Sequence, residues 1–264
     1  MMYRSIGFIG CGNMGSALAR ACKGRGELYF SNRSPEKAKA LAKALQGTAC
    51  DNETIARSCD LIFLGVKPQM MAGMLEPLRP VLAARGERFV LVSMAAALTT
   101  ETIQALAGGS YPVIRIMPNT PVAVGEGVIQ VCSKACTEAE VEGFCALMER
   151  AGLLDRIDEH LIDAAASVSG CGPAFLCLVM EALADGGVAC GLPRAKALRY
   201  AAQTLLGTGR LALETGEHPG LLKDKVCSPG GTTIQGVRAL ENGAARAAFT
   251  EAVIAAYEKT LEMK

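Results

Sequence analysis

A glycine-rich turn between an apolar run and a helical pattern is the feature that most constrains how this chain can fold. Residues 6–9 are apolar, as in a buried strand, and lead directly into a G-x-G-x-x-G sequence at residues 10–15. After the turn, apolar residues recur at the spacing of one helix face, namely Met14, Ala17, Leu18 and Ala21. The order of strand, glycine turn and helix is the one that a dinucleotide-binding fold requires.

The residues of this turn each have a physical role in that hypothesis. Gly10 allows the tight turn, Gly12 allows the backbone to approach a pyrophosphate, and Gly15 allows the helix to pack closely. Asn13 and Met14 follow at the start of the helix, whose free N–H groups and partial positive charge attract phosphate. The sequence therefore predicts a dinucleotide site here, with an ordinary glycine turn as the alternative.

Charge and hydropathy exclude several classes of partner. The chain has 264 residues and a formal net charge of +1, which gives no broad attraction to nucleic acid or to an acidic membrane surface. The longest uncharged run, residues 164–180, is interrupted by Gly170, Gly172 and Pro173, so we expect a buried helix and no membrane span. Residues 1–4 lead straight into the first strand and leave no room for a secretion signal. We therefore expect a cytoplasmic protein.

The eleven cysteines indicate neither disulfides nor a metal site. No C-x-x-C sequence occurs, and only His160 and His218 could join Cys132 and Cys136 around a metal ion, so we expect none. Several cysteines lie in apolar runs and are expected to be small buried hydrophobic residues, namely Cys22, Cys59, Cys145 and Cys177. A catalytic cysteine is the alternative.

Residues 1–157 alternate between strand and helix patterns. Further strands are predicted at residues 27–31, 60–66, 88–93 and 113–117. Helices are predicted after Ser34, with Ser34 as N-cap and Pro35 in the first turn, and after Thr137, with a capping box to Glu140. This alternation predicts an α/β domain with a mostly parallel sheet and helices on both faces.

Residues 158–264 carry helix patterns and no strand pattern. Residues 159–189 are predicted to form one long or kinked helix. Further helices are predicted at residues 193–215, 230–240 and 244–263, and residues 216–229 are expected to be irregular. The sequence therefore predicts a second, all-α domain that begins near residue 158.

The end of the second strand indicates which dinucleotide is bound. An NAD-preferring fold places a carboxylate there, about 20 residues after the glycines. This chain has Asn32, Arg33 and Ser34 instead, which favours the 2′-phosphate of NADP(H). A plain surface turn that caps the next helix is the alternative.

A second anion site is predicted in the helical half. Ser228, Pro229, Gly230, Gly231, Thr232 and Thr233 directly precede a helical pattern. Two glycines and two threonines at a helix N-terminus expose several N–H groups, which can hold a carboxylate. An ordinary helix cap is the alternative.

Together these features resemble the pyrroline-5-carboxylate reductase family, over nearly the whole chain. The resemblance rests on residues 10–15, 51–53, 66–68, 93–96, 115–121, 169–174 and, most specifically, 223–233. It implies a Rossmann-type domain followed by a helical dimerisation domain, and the reduction of 1-pyrroline-5-carboxylate to L-proline. It also implies an obligate homodimer, which could assemble further into a pentamer of dimers.

The resemblance implies a set of site residues. NADPH, with NADH as a weaker substitute, would be bound by Gly10, Gly12, Asn13, Met14, Gly15, Asn32, Arg33, Ser34, Asn52, Val66, Lys67, Pro68, Met94, Ala95 and Ala96. The substrate would be held by Ser228, Gly230, Gly231, Thr232 and Thr233. Thr233 is the catalytic candidate, because its hydroxyl could hydrogen-bond the ring nitrogen.

Two departures and three rival functions accompany the resemblance. Lys225 stands where family members usually carry an uncharged residue, and Cys171 replaces a commoner serine. The rival enzymes are another imine reductase and a 3-hydroxyacid dehydrogenase, for which Lys196 is the one helix-interior candidate base. The rival outside catalysis is an NADPH-binding sensor.

Overall fold

The computed structural model describes residues 3–262 of the chain, which form two compact units. The first unit holds the described residues up to Gly170 together with those from Tyr257 onward, and the second holds residues 171–256. Three residues used in the predictions lie outside the described residues. They are Met1 and Met2, from the prediction about a secretion signal, and Met263, from the predicted last helix.

An eight-stranded sheet forms the centre of the first unit. Its strands are β1 (Ser5–Ile9), β2 (Glu27–Ser31), β3 (Thr48–Ala49), β4 (Leu61–Leu64), β5 (Val90–Ser93), β6 (Val113–Pro118), β7 (Gly127–Lys134) and β8 (Gly152–Arg156). They lie in the order β3-β2-β1-β4-β5-β6-β7-β8, and every neighbouring pair is parallel except β6 and β7. The predicted mostly parallel sheet is confirmed.

Helices cover both faces of this sheet. They are α1 (Asn13–Ala21), α2 (Pro35–Leu45), α3 (Asn52–Ser58), α4 (Met71–Leu75), α5 (Arg79–Ala83), α6 (Thr100–Ala107), α7 (Glu138–Met148) and α8 (Ile162–Ser169). Alternate residues of β4 enter different cores, since Leu61 and Phe63 pack with α1, α2 and α7, whereas Ile62 and Leu64 pack with α3 to α6. Phe63 also stacks on Phe8, with ring centroids 4.4 Å apart. The apolar strand residues thus bury both faces of the sheet.

The second unit is helical. Its helices are α9 (Gly172–Ala189), α10 (Arg194–Thr215), α11 (Pro219–Val226), α12 (Thr232–Asn242) and the first part of α13 (Ala245–Glu262). Small residues let α9 and α10 pack against each other, and Ala184 and Ala197 are buried there. Within its described residues this unit contains no strand, so the all-α prediction is confirmed.

One predicted segment differs from the structure, and another agrees with the kinked form of its prediction. Residues 216–229 are not irregular throughout, because α11 forms there; it is only eight residues long and contains two lysines, which hid its pattern. Residues 159–189 form a kinked succession of helical segments, namely a 3-10 turn (Glu159–Leu161), α8 and α9, with Gly170 and Cys171 between the last two. By its contacts α8 belongs to the first unit, so the division between the two compact units falls after Gly170. The boundary between the functional domains at residues 157/158 stays a prediction.

Both predicted helix starts are confirmed. Thr137 and Glu140 form the capping box, with each side chain hydrogen-bonded to the other residue's backbone. Ser34 is the N-cap of α2 and Pro35 lies in its first turn, although the Ser34 side chain makes no capping hydrogen bond.

The apolar start of α9 is not buried within the single chain. Leu176 and Leu178 are 52% and 65% exposed, and Cys177 is exposed too, so the prediction of burial fails for the chain alone. Cys22 and Cys59 are buried as predicted, and Cys145 is half-buried. By length and composition, residues 159–189 are the one described stretch that could cross a membrane. A helix segment that is apolar on all sides is stable only where another surface covers it.

Candidate active site

The glycine turn, residues 10–15, has the backbone geometry that its glycines require. Gly10 lies at φ +104°, and a Cβ there would lie 2.5 Å from the carbonyl oxygen of Gly65. A Cβ on Gly15 would lie 2.3 Å from the carbonyl oxygen of Gly10. Gly12 differs, because a Cβ there would meet no atom within 4 Å. The backbone is therefore closely packed at Gly10 and Gly15 and unobstructed at Gly12.

The open side of the turn lies at the N-terminus of α1. Gly12 is the N-cap, no side chain caps this helix end, and the first turn contains no acidic residue. The first N–H groups of a helix have no partner within the helix, and the helix dipole adds partial positive charge. The arrangement suits a phosphate group, and contact of Asn13 and Met14 with it stays a prediction.

Asn32 joins the glycine turn to the turn that follows β2. Its Oδ1 accepts a hydrogen bond from the backbone N–H of Cys11 at 3.0 Å. Its Nδ2 donates to the carbonyl oxygen of Ser34 at 3.1 Å. Both ends of the Asn32 amide are thus engaged within the protein, so this side chain fixes the shape of both turns.

Arg33 is an exposed cation beside this joined pair of turns. Its side chain makes no hydrogen bond or ion pair with another residue between 3 and 262. No carboxylate occurs at residues 32–34 that would bind a ribose hydroxyl and repel a phosphate. A free guanidinium is suited to bidentate contact with phosphate, so the turn fits the 2′-phosphate of NADP(H).

Further predicted cofactor residues lie at the same edge of the sheet. Since β1, β2, β4 and β5 are parallel, their carboxyl ends meet at one edge. The residues that follow β4 and β5 there are Val66, Lys67 and Pro68, and Met94, Ala95 and Ala96. Ala97 comes next at φ +62°, which is a strained conformation for alanine. The fold therefore brings these segments together beside the glycine turn.

Asn52 joins the same edge at the first position of α3. Its Oδ1 lies 2.5 Å from Oγ of Ser31, the last residue of β2. The preceding residue, Asp51, accepts a hydrogen bond from the backbone N–H of Thr54 at 2.7 Å, which lowers the pKa of the Asp51 carboxyl. The start of α3 is thereby fixed next to the end of β2.

Cys11 in the glycine turn is a buried, neutral thiol. It is 4% exposed, and burial raises the pKa of its thiol to about 11. The thiolate, which is the nucleophilic form, is therefore scarce at neutral pH. Among residues 3–262, no group of three or more His, Cys, Asp or Glu side chains could hold a metal ion.

The carboxylate turn, residues 228–233, belongs to the second unit. Gly230 lies at φ +70°, and the backbone N–H of Gly231 donates to the carbonyl oxygen of Ser228 at 3.0 Å. Gly231 is the N-cap of α12, and no side chain caps this helix end. The hydroxyls of Thr232 and Thr233 are exposed and bond to no other described residue. The turn thus offers free backbone and hydroxyl donors to an anion.

Lys225, the departure from the family pattern, lies in the last turn of α11. Its Nζ contacts both carboxylate oxygens of Glu217, at 2.6 and 2.5 Å. The pair is exposed, so it contributes little to stability, but it gives the ammonium group a partner within its own unit.

A buried polar cluster in the first unit was missed by sequence reasoning. Arg115 on β6 is 1% exposed and pairs with Asp163 at 3.0 Å and Glu159 at 3.3 Å. Gln130 on β7 donates to Oγ of Ser169 at 2.8 Å. An arginine within an apolar strand was the available signal, because a buried guanidinium needs carboxylate partners.

Comparison with protein-family models identifies both halves of the chain. Residues 159–263 match the model for pyrroline-5-carboxylate reductase dimerisation. Residues 5–97 match the model described as NADP oxidoreductase, coenzyme F420-dependent. The first match begins at the 3-10 turn that precedes α8, and the second covers the sheet edge from β1 to the loop after β5.

Relatives match the chain at full length. The pyrroline-5-carboxylate reductase of Escherichia coli (strain K12) is 38% identical over 266 residues, which are 98% of this chain and 98% of that protein. The solved structure of a pyrroline-5-carboxylate reductase from Coxiella burnetii has a TM-score of 0.91 at 30% identity, over 100% and 99% of the two chains. The Plasmodium falciparum pyrroline carboxylate reductase, solved with NADP bound, has a TM-score of 0.86 at 30% identity and the same coverage.

Proposed function

The chain belongs to the pyrroline-5-carboxylate reductase family, and from that premise we propose that it reduces 1-pyrroline-5-carboxylate to L-proline with NADPH. The observation that carries the proposal is the full-length match to the Escherichia coli enzyme, and the uncapped N-termini of α1 and α12 support it. The related dehydrogenase and sensor functions have no comparable support.

The cofactor residues follow from the sheet edge of the first unit. Gly12 and the first N–H groups of α1 would hold the pyrophosphate, because that helix end is open and uncapped. Arg33 would contact the 2′-phosphate, which selects NADPH over NADH. The nicotinamide half would lie along the residues after β4 and β5, while Asn32 and Asn52 keep the neighbouring turns in place. When bound, the reduced nicotinamide supplies the hydride.

The substrate residues follow from the carboxylate turn. The N–H groups at Gly230, Thr232 and Thr233 would bind the substrate carboxylate, which needs no arginine at such a turn, while Gly231 keeps its own N–H bonded to Ser228. The Thr233 hydroxyl would hydrogen-bond the ring nitrogen and so fix which ring atom receives hydride. Contacts to both the carboxylate and the ring nitrogen would orient the ring, so that the bound substrate is already placed for hydride transfer.

The proposal also covers the oligomeric state and the cellular compartment of the protein. The dimerisation match and the exposed start of α9 support a homodimer as the obligate unit. A pentamer of dimers is the further assembly, and light-scattering mass distinguishes ten chains from two. Each of the eleven cysteines is a free thiol, which supports a reducing compartment and hence the cytoplasm.

One assay tests the proposed reaction. Purified protein is mixed with 1-pyrroline-5-carboxylate and NADPH, and cofactor oxidation and proline formation are followed together. We expect stoichiometric proline and a higher kcat/KM with NADPH than with NADH. Reduction of NADP+ by a 3-hydroxy acid without turnover of 1-pyrroline-5-carboxylate, or tight NADPH binding without turnover of any cyclic imine, would contradict the proposal.

A further inference from the structure

The loop after β5, residues 94–99, is held at its far end by a carboxylate from a distant part of the chain. Glu159 Oε1 accepts a hydrogen bond from the backbone N–H of Thr100 at 2.7 Å. Glu159 Oε2 accepts from the Thr100 hydroxyl, also at 2.7 Å. Thr100 is the first residue of α6 and is 2% exposed. The loop therefore ends at a buried residue, Thr100, which Glu159 holds by two hydrogen bonds.

The same carboxylate reaches back to the start of the loop through Arg115. Glu159 Oε1 lies 3.3 Å from Arg115 Nη1. Arg115 on β6 is in register with Ser93, the last residue of β5. The Ser93 hydroxyl accepts from the backbone N–H of Ala95 at 3.4 Å. Glu159 is thus bonded directly to the far end of the loop and, through Arg115, to the strand that pairs with Ser93 at its start.

The hydrogen bonds between Glu159 and Thr100 affect the conformation of the whole loop, because the loop backbone is strained. Ala97, in the middle of the loop, lies at φ +62°. A non-glycine residue keeps that conformation only where its surroundings impose it. Thr99 fixes one side, since its Oγ1 accepts from the backbone N–H of Thr102 at 3.1 Å. Glu159 fixes the residue after it, Thr100, by two charge-assisted hydrogen bonds.

We propose that Glu159 is a positioning residue that holds residues 94–99 in the conformation that binds NADPH. Glu159 does not touch the cofactor; it acts through Thr100 and Arg115. The inference rests on the proposed function only in assigning this loop to the cofactor.

The test uses NADPH dissociation constants measured by fluorescence on the full-length protein. Glu159→Ala should raise the constant roughly tenfold, because both bonds to Thr100 are lost. Glu159→Gln should leave the constant close to that of the unmodified protein, within about 1.5-fold, since an amide can accept from the Thr100 N–H and donate to its hydroxyl. Thr100→Val removes one of the two bonds and should raise the constant about threefold.

A matched control and a cofactor-free measurement separate positioning from general stability. Glu138 carries a carboxylate paired with Arg156 at the start of α7, and Glu138→Ala should leave NADPH binding unchanged. In the cofactor-free protein, amide hydrogen exchange should rise at residues 95–100 in Glu159→Ala and nowhere else in the first unit. The KM for the imine should not change in that variant.

The outcomes distinguish this inference from the proposed function. A folded Glu159→Ala with unaltered NADPH affinity would overturn the inference, even if the reductase assay succeeds. Should that variant fail to fold, unaltered NADPH affinity in Thr100→Val would overturn it instead. A protein that binds NADPH as expected and reduces no cyclic imine would overturn the proposed function and leave the positioning result intact.

Discussion

Gly10 and Gly65 meet backbone to backbone, and each occupies the space that a side chain on the other would need. A Cβ on either residue would lie 2.5 Å from the carbonyl oxygen of its counterpart. The N–H of Gly65 also donates to the carbonyl oxygen of Ile9 at 2.7 Å. These two glycines set how closely the ends of β1 and β4 approach, and so they shape the edge that carries the proposed cofactor residues.

This contact predicts different results for two glycine-to-alanine substitutions. Gly65→Ala should lower the free energy of unfolding by about 1–3 kcal/mol, because the added methyl group overlaps backbone that cannot move aside. Gly12→Ala should cost less than about 1 kcal/mol, since its Cβ meets no atom, but should weaken NADPH binding at least tenfold. Urea unfolding and fluorescence titration measure the two effects. Full NADPH affinity in Gly12→Ala would place the pyrophosphate elsewhere.

The local part of this architecture could be predicted, because it depends on neighbouring residues. The predicted bounds of the second strand coincide with β2, and the Thr137 capping box is present. Strands β3, β7 and β8 were missed, since β3 has only two residues, β7 mixes polar and apolar residues and β8 has two charged residues in five. The bond between Arg115 and Glu159 spans 44 residues, and no local pattern specifies such a pairing.

Cofactor selection should depend on Arg33. Arg33→Ala should lower kcat/KM for NADPH roughly ten- to a hundredfold, because a charge-assisted bond to the 2′-phosphate is lost. The value for NADH should hardly change, since NADH lacks that phosphate. Steady-state assays with both cofactors measure this, and Lys39→Ala, which removes another exposed cation from α2, serves as control. Equal losses with both cofactors would contradict the role of Arg33.

The Glu140 carboxylate should stabilise the fold in a pH-dependent way. Hydrogen bonds from Arg88 and from the Thr137 backbone hold the pKa of Glu140 below its ordinary value. Its contribution is therefore present above the unfolded pKa of about 4.3 and is lost as pH falls through the lower folded pKa. Glu140→Gln should cost about 1 kcal/mol at pH 7, because Arg88 is half exposed and screened.

Unfolding by urea at pH 7 and at pH 3 tests this expectation. The difference between the unmodified protein and Glu140→Gln should shrink at the lower pH, because pH 3 lies below the unfolded pKa of about 4.3 and the contribution of the carboxylate is lost as pH falls toward the lower folded pKa. A difference that grows on acidification would show that the charge does not contribute in the folded state.

The apolar surface of α9 should be the centre of the dimer interface. Leu178 is 65% exposed in the single chain and lies within the segment matched by the dimerisation model. Leu178→Glu should produce monomers in sedimentation velocity, because a charge cannot be buried there without a partner. Leu153→Glu is the control, since Leu153 is 58% exposed but lies on β8, before that segment. A stable, active monomer of the unmodified protein would contradict the obligate dimer.

Thr233 should act on the substrate and leave the cofactor untouched. Thr233→Val keeps the shape and the backbone N–H of the carboxylate turn and removes only the hydroxyl. Losing one hydrogen bond and leaving a polar atom of the substrate unpaired costs about 1–3 kcal/mol, which is roughly five- to 150-fold in kcat/KM for the imine. NADPH affinity should stay within about twofold. Thr232→Val should matter less, because its side chain is expected to point away along α12. Full activity in Thr233→Val with a loss in Thr232→Val would shift the assignment by one residue, and full activity in both would place the carboxylate elsewhere.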